Sequence, residues 1–130
     1  MSALEGVALY AALNLLLVIL LAYNVTRHRQ RAKVSIGTGE DAGLEQACRV
    51  HGNAVEYIPV GLIALALLAL LDTSPMIIHV LGFALTLGRG LHAYGLLSKA
   101  GVSMGRFIGT LLTWLMILAS AGLLIFAAVT

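Results

Sequence analysis

The chain has 130 residues, of which 60% are hydrophobic and only 11% charged, and its formal net charge is +2. About a quarter of a soluble domain is charged, so this composition excludes a water-soluble globular fold. It predicts one integral membrane domain over residues 1–130, with membrane lipids around it and no nucleic-acid partner. The single cysteine, Cys48, excludes an internal disulfide.

In chain order, the first predicted span runs from Val7 to Val25 without a charge. Its flank carries Glu5 before the apolar run and basic residues after it, the reverse of a secretory signal, so it reads as a retained transmembrane helix. Residues from about His28 to Gly43 form the one long connection. Gly37 and Gly39 mark a turn within it, and Asp41 is placed to cap the second helix.

The second and third spans are different. Uncharged runs from Tyr57 to Leu71 and from Thr73 to Gly88 fall short of the about 20 apolar residues a crossing requires. Each reaches full length only by including a polar cluster. The first cluster holds Glu45, Arg49, His51, Asn53 and Glu56. The second holds Arg89, His92 and Tyr94. Pro59 falls inside the second span, where a kink is expected. The Asp72-Thr73-Ser74-Pro75 turn joins the far ends of these spans. At 1.5 Å per residue, Glu56 is about 23 Å from Leu71 and Arg89 about 21 Å from Pro75, so an antiparallel pair sets them level. The fourth span, Phe107 to Thr130, is uncharged, and Gly101, Gly105 and Gly109, spaced by four at its start, predict close helix packing.

The expected fold is an all-α antiparallel bundle of four transmembrane helices. Arg27, Arg29, Arg31 and Lys33 follow span one, and Lys99 and Arg106 precede span four. By the positive-inside rule these connections are cytoplasmic and both termini outside.

Glu45, Arg49, Asn53 and Glu56 are spaced 4, 4 and 3 and stack on one helical face. Two readings stay open for the clusters. One is a register-fixing ion-pair network, Arg89 with Glu56 and Arg49 with Glu45. The other is a site for a polar ligand, with the surplus of arginine suiting carboxylates. His51 and His92 read as hydrogen-bonded packing residues, Cys48 as a buried thiol, and Tyr57 and Tyr94 as interfacial anchors. Trp114 and Met116 read as core or lipid-facing. No spacing of His, Cys, Asp and Glu suits a metal.

The run from Glu45 to Pro59, with Glu45, Arg49, His51, Asn53 and Glu56 in fixed register, resembles the motif of the MAPEG family, the membrane-associated proteins of eicosanoid and glutathione metabolism. The run Gly88-Arg89-Gly90-Leu91-His92-Ala93-Tyr94-Gly95 is similar to that family's third-helix segment. The likeness is strongest to small bacterial members. The resemblance implies a homotrimer of four-helix protomers in a bacterial inner membrane. Glutathione would be the co-substrate, bound between subunits and opening to the cytoplasm. Arg49, Asn53, Glu56, Arg89 and His92 would hold its polar groups, with Arg27 or Arg29 contributing from the end of helix one. Arg106 would stabilise its thiolate, since a cation beside a thiol favours ionisation. The implied activity is glutathione transfer to hydrophobic electrophiles, or reduction of lipid hydroperoxides. Two positions depart from the family's prostaglandin-forming enzymes: Gly52 stands in place of an Arg, and Phe107 in place of a Ser. A non-catalytic lipid-binding or scaffold protein is the alternative. A small multidrug-type transporter ranks last, because span one lacks the acidic residue such a protein needs.

Overall fold

In the computed structural model, which describes residues 1–129, four helices pack as an antiparallel bundle: α1 (Ala3–Ala32), α2 (Ala42–Leu70), α3 (Pro75–Ser98) and α4 (Met104–Val129). All four are long and apolar enough to cross a membrane. Both α1 and α4 pack against α2 and α3, and among the described residues α1 and α4 do not meet. Thr130, the expected end of the fourth span, lies outside the described residues.

Helix ends follow local chemistry. Ser2 caps α1 in a reciprocal box: its hydroxyl accepts from the Glu5 amide at 3.3 Å, and the Glu5 carboxylate accepts from the Ser2 amide at 2.7 Å. This Ser-x-x-Glu signal is present in the sequence and places the start of α1 ahead of Val7. At its other end α1 continues through Arg27, Arg29 and Arg31, which are good helix formers, and stops at Lys33 in a left-handed conformation. The expected long connection from His28 to Gly43 is therefore shorter, confined to residues 33–41. Gly37 and Gly39 have φ of 73° and 56°, as their turn reading requires. Asp41 caps α2 by accepting from the Leu44 amide at 2.7 Å. Both polar clusters lie within helix, as predicted, and α2 runs unbroken through Pro59.

The core side of α2 is Leu44, Ala47, Val50, Ala54, Ile58, Gly61, Leu65 and Leu68. At about 100° per residue, Glu56 stands about 200° from Ala54. Glu45, Arg49, Gly52 and Glu56 thus form a stripe on the side opposite the core, and the three charged members are exposed. Asn53 leaves that stripe and turns inward. The four-residue face read from spacing therefore divides in two.

Glycines set the distance between α3 and α4. A Cβ on Gly109 would lie 2.5 Å from the Gly88 carbonyl oxygen, and one on Gly95 would lie 2.5 Å from the Arg106 amide. Gly105 meets the Gly95 Cα at 3.1 Å on the same basis. Two of the three glycines in the predicted stripe do the packing. Gly101 lies in the connection, with only Lys99 near it.

Candidate functional site

Arg89 is 2% exposed, and the close α3–α4 approach carries it into the centre of the bundle. Its Nε donates to Thr113 Oγ1 at 2.9 Å, its Nη1 to Asn53 Oδ1 at 2.7 Å, and its Nη2 to the Gly109 carbonyl at 3.3 Å. Its guanidinium carbon stands 4.9 Å from the centre of the Tyr57 ring. Arg89 is level with residues 53–57 of α2, as the antiparallel geometry predicts, but its partners are neutral.

The ion pairs of the register-fixing reading, Arg89 with Glu56 and Arg49 with Glu45, do not form among the described residues. The reason is rotational. Glu56 faces away from α3, and the planar guanidinium spreads its charge over three oxygens and an aromatic face. Arg89 ties α2, α3 and α4 together. Thr113, fully buried, completes this network by donating to the Gly109 carbonyl at 2.8 Å. Neither Thr113 nor its role shows in the sequence, where a threonine in an apolar run carries no signal.

Arg106 lies elsewhere. Ser103 Oγ accepts from its amide at 3.3 Å and donates to the Gly95 carbonyl at 3.0 Å, which fixes the first turn of α4 against α3. The Arg106 Nη1 donates to the Gly101 carbonyl at 2.9 Å, and its Nε and Nη2 make no bond to a described residue. It borders a cavity of about 350 Å³ walled by Phe107, Thr110, Leu111 and Trp114, with His92 at the inner side. His92 is 6% exposed, yet its side chain makes no hydrogen bond to any described residue. The expectation of a hydrogen-bonded packing histidine does not hold for it. Two cationic or polar side chains with unused hydrogen-bonding capacity thus face one apolar cavity. Trp114 is half exposed and donates to the Tyr57 hydroxyl at 3.1 Å, so it is a wall of the cavity rather than core, while Met116 is buried core.

The remaining predicted residues do not converge on this cavity. Arg49 borders a separate cavity with Glu45, Gln46 and Leu96, and Glu56 points outward from α2. Arg29 donates to the Ser35 and Gly37 carbonyls and to Cys48 Sγ, so it holds the α1–α2 connection in place. Arg27 opens onto a groove between α1 and α3. Asn53 gives its carbonyl to Arg89. No cluster of His, Cys, Asp and Glu among the described residues is arranged to hold a metal.

A sequence model described as the MAPEG family matches residues 7–126. The chain is 38% identical over 88 residues to the inner membrane protein YecN of Escherichia coli, a match covering 68% of this chain and 67% of YecN. YecN from a second Escherichia coli strain matches with the same identity and coverage. No solved structure gives a significant match.

Proposed function

The chain belongs to the MAPEG family, and on that premise we propose that it is an inner-membrane, glutathione-dependent transferase or peroxidase for hydrophobic substrates. One observation carries the reading: Arg106 and His92, both with unused hydrogen-bonding capacity, face one apolar cavity. The guanidinium tip of Arg106 would hold the glutathione sulfur as thiolate, because a neighbouring cation favours the ionised form. The thiol proton leaves to solvent at the mouth. The sulfur then attacks an electrophilic carbon of a substrate seated against Phe107, Leu111 and Trp114. A C–S bond forms as the bond from carbon to the leaving group breaks and its electron pair departs with that group, or as the π pair of an activated C=C shifts onto the adjoining acceptor, which takes a proton from solvent. With a hydroperoxide, two glutathiones become the disulfide while the substrate becomes an alcohol and releases water.

The peptide's polar ends need more partners than one protomer offers. The outward stripe of Glu45, Arg49 and Glu56 supplies them if copies associate through α2. A charged stripe at the edge of the hydrocarbon is costly when it faces lipid, at roughly 2.5–3.5 kcal/mol per group near a helix centre. Burial against a neighbouring copy removes that exposure, which supports the homotrimer the family implies. The basic connections then face the cytoplasm, where glutathione is supplied.

The test is thiolate formation. Adding glutathione to the detergent-purified protein should raise thiolate ultraviolet absorbance, and Arg106→Ala should abolish the rise. An unchanged signal in Arg106→Ala overturns the assigned role of Arg106. A second reading, lipid binding without chemistry, draws on the mutual engagement of Asn53 and Arg89 and on the vacant space beside Gly52. It is favoured if the wild-type protein gives no thiolate signal.

A further inference from the structure

The seam between α1 and α3 is lined by two heptad stripes that run beside each other without closing. On α1 the stripe is Tyr10, Leu13, Leu17, Leu20, Asn24 and Arg27, spaced 3, 4, 3, 4 and 3. On α3 it is Phe83, Leu87, Gly90, Tyr94 and Leu97, spaced 4, 3, 4 and 3. Such spacing places each set on one helical face. Side chains that should interlock instead leave two hollows, of about 420 Å³ and 390 Å³, which share Gly90. The floor is open there for a local reason: a Cβ on Gly90 would meet nothing within 4 Å.

Polarity along the seam is one-sided. At the end that carries the basic connection stand Asn24 and Arg27, flanked by Tyr23 and Tyr94, which are 62% and 72% exposed. The Arg27 side chain is exposed and makes no bond to a described residue, unlike Arg29, about 200° round the helix, whose guanidinium is engaged by loop carbonyls. Towards the other end the walls are Leu13, Phe83, Leu87 and Leu91. Near that end the lining hydroxyls are paired, while the buried Asn14 Oδ1 has no hydrogen-bond partner among the described residues. The Tyr10 hydroxyl bonds His79 Nδ1 at 3.2 Å, and Thr86 Oγ1 accepts from the buried Asn14 amide at 2.8 Å.

We propose that this seam holds one anionic phospholipid, with its phosphate on Arg27 and Asn24 and an acyl chain lying along the groove past Gly90. The dimensions agree. Tyr10 to Arg27 spans about 25 Å at 1.5 Å per residue, while one leaflet contributes about half of a 30 Å hydrocarbon core. The seam therefore accommodates a chain entering from the basic end alone. Exposed tyrosines at the headgroup level mark a lipid boundary, and an unpaired arginine beside them complements a phosphate. Charge selects the anionic lipid over a zwitterionic one. The transferase reading is not needed for this site.

The experiment is native mass spectrometry of the delipidated, detergent-solubilised protein with phosphatidylglycerol or phosphatidylcholine added at equal concentration. Wild-type protein should retain phosphatidylglycerol several-fold over phosphatidylcholine. Arg27→Gln should bring the two to parity. Gly90→Leu, which fills the open floor, should lose retention of both. Gly122→Leu, at an equally unobstructed position on α4, should behave as wild type. Equal retention of the two lipids by wild-type protein overturns the proposal, and so does undiminished retention by Gly90→Leu. A changed subunit number in Gly90→Leu also overturns it, assigning the seam to contact between copies. If Gly90→Leu does not fold, Arg27→Gln decides: parity supports the site, and a persisting preference refutes it.

Discussion

Gly109→Ala adds one methyl group where the two most tightly packed helices meet. The new Cβ would stand 2.5 Å from the Gly88 carbonyl oxygen and 2.5 Å from the His92 amide, both backbone atoms that cannot rotate away. Ordinary contact begins near 3.5 Å, so α3 and α4 must separate by about 1 Å at this level. Overpacking of this kind costs about 1–3 kcal/mol. The displacement also strains the Arg89 and Thr113 bonds to the Gly109 carbonyl.

Against this, Ala is about 1 kcal/mol better than Gly within a helix. Gly122→Ala on the same helix supplies the control, because a Cβ there meets nothing within 4 Å. The propensity gain is common to both variants, so their difference isolates the overpacking. Gly109→Ala should be about 1–3 kcal/mol less stable than Gly122→Ala, read from denaturation midpoints in one detergent by circular dichroism. Equal midpoints would refute the close-approach argument.

Three further outcomes are expected. Arg89→Met leaves Thr113 and Asn53 without their buried donor and should lower stability by about 2–4 kcal/mol, since hydrogen bonds to charged groups contribute about 1.5–3 kcal/mol each; Arg89→Lys, lacking the planar fork, should recover only part of it in the same denaturation assay. Asp41→Ala removes the α2 cap and should cost about 1 kcal/mol, whereas Asp41→Asn should be close to neutral. Trp114 is the single tryptophan and a wall of the Arg106 cavity, so a brominated hydrophobic acceptor should quench its fluorescence saturably. Strictly linear quenching would mean the cavity does not bind it.

Much of the scaffold is legible in the residue pattern, because hydrocarbon imposes a simple rule: backbone groups must pair within the segment, and apolar length reports a crossing. The Asp72–Pro75 turn, the Asp41 cap, the positive φ at Gly37 and Gly39 and the level match of Arg89 with residues 53–57 all follow from local chemistry or arithmetic. The end of α1 is not legible from hydropathy, because its basic residues suit a loop but are also good helix formers and extend the helix past the apolar run to Ala32.

The polar clusters show where that legibility stops. Spacing puts Glu45, Arg49, Asn53 and Glu56 on one side of a helix, but helix period alone does not say how that helix is turned in the bundle. The Leu44–Leu68 core ridge does, and it sends Glu56 outward and Asn53 inward. Opposite charges at matched depth suggested an ion pair. The orientation of α2 and the glycine-tight approach of α4 gave Arg89 neutral acceptors instead. Composition and order thus specify which segments are helical and where they end, since propensity, capping and hydropathy act within a few residues. Which arginine is structural and which faces a cavity is settled only by packing, because it depends on rotations and close approaches between segments distant in the chain.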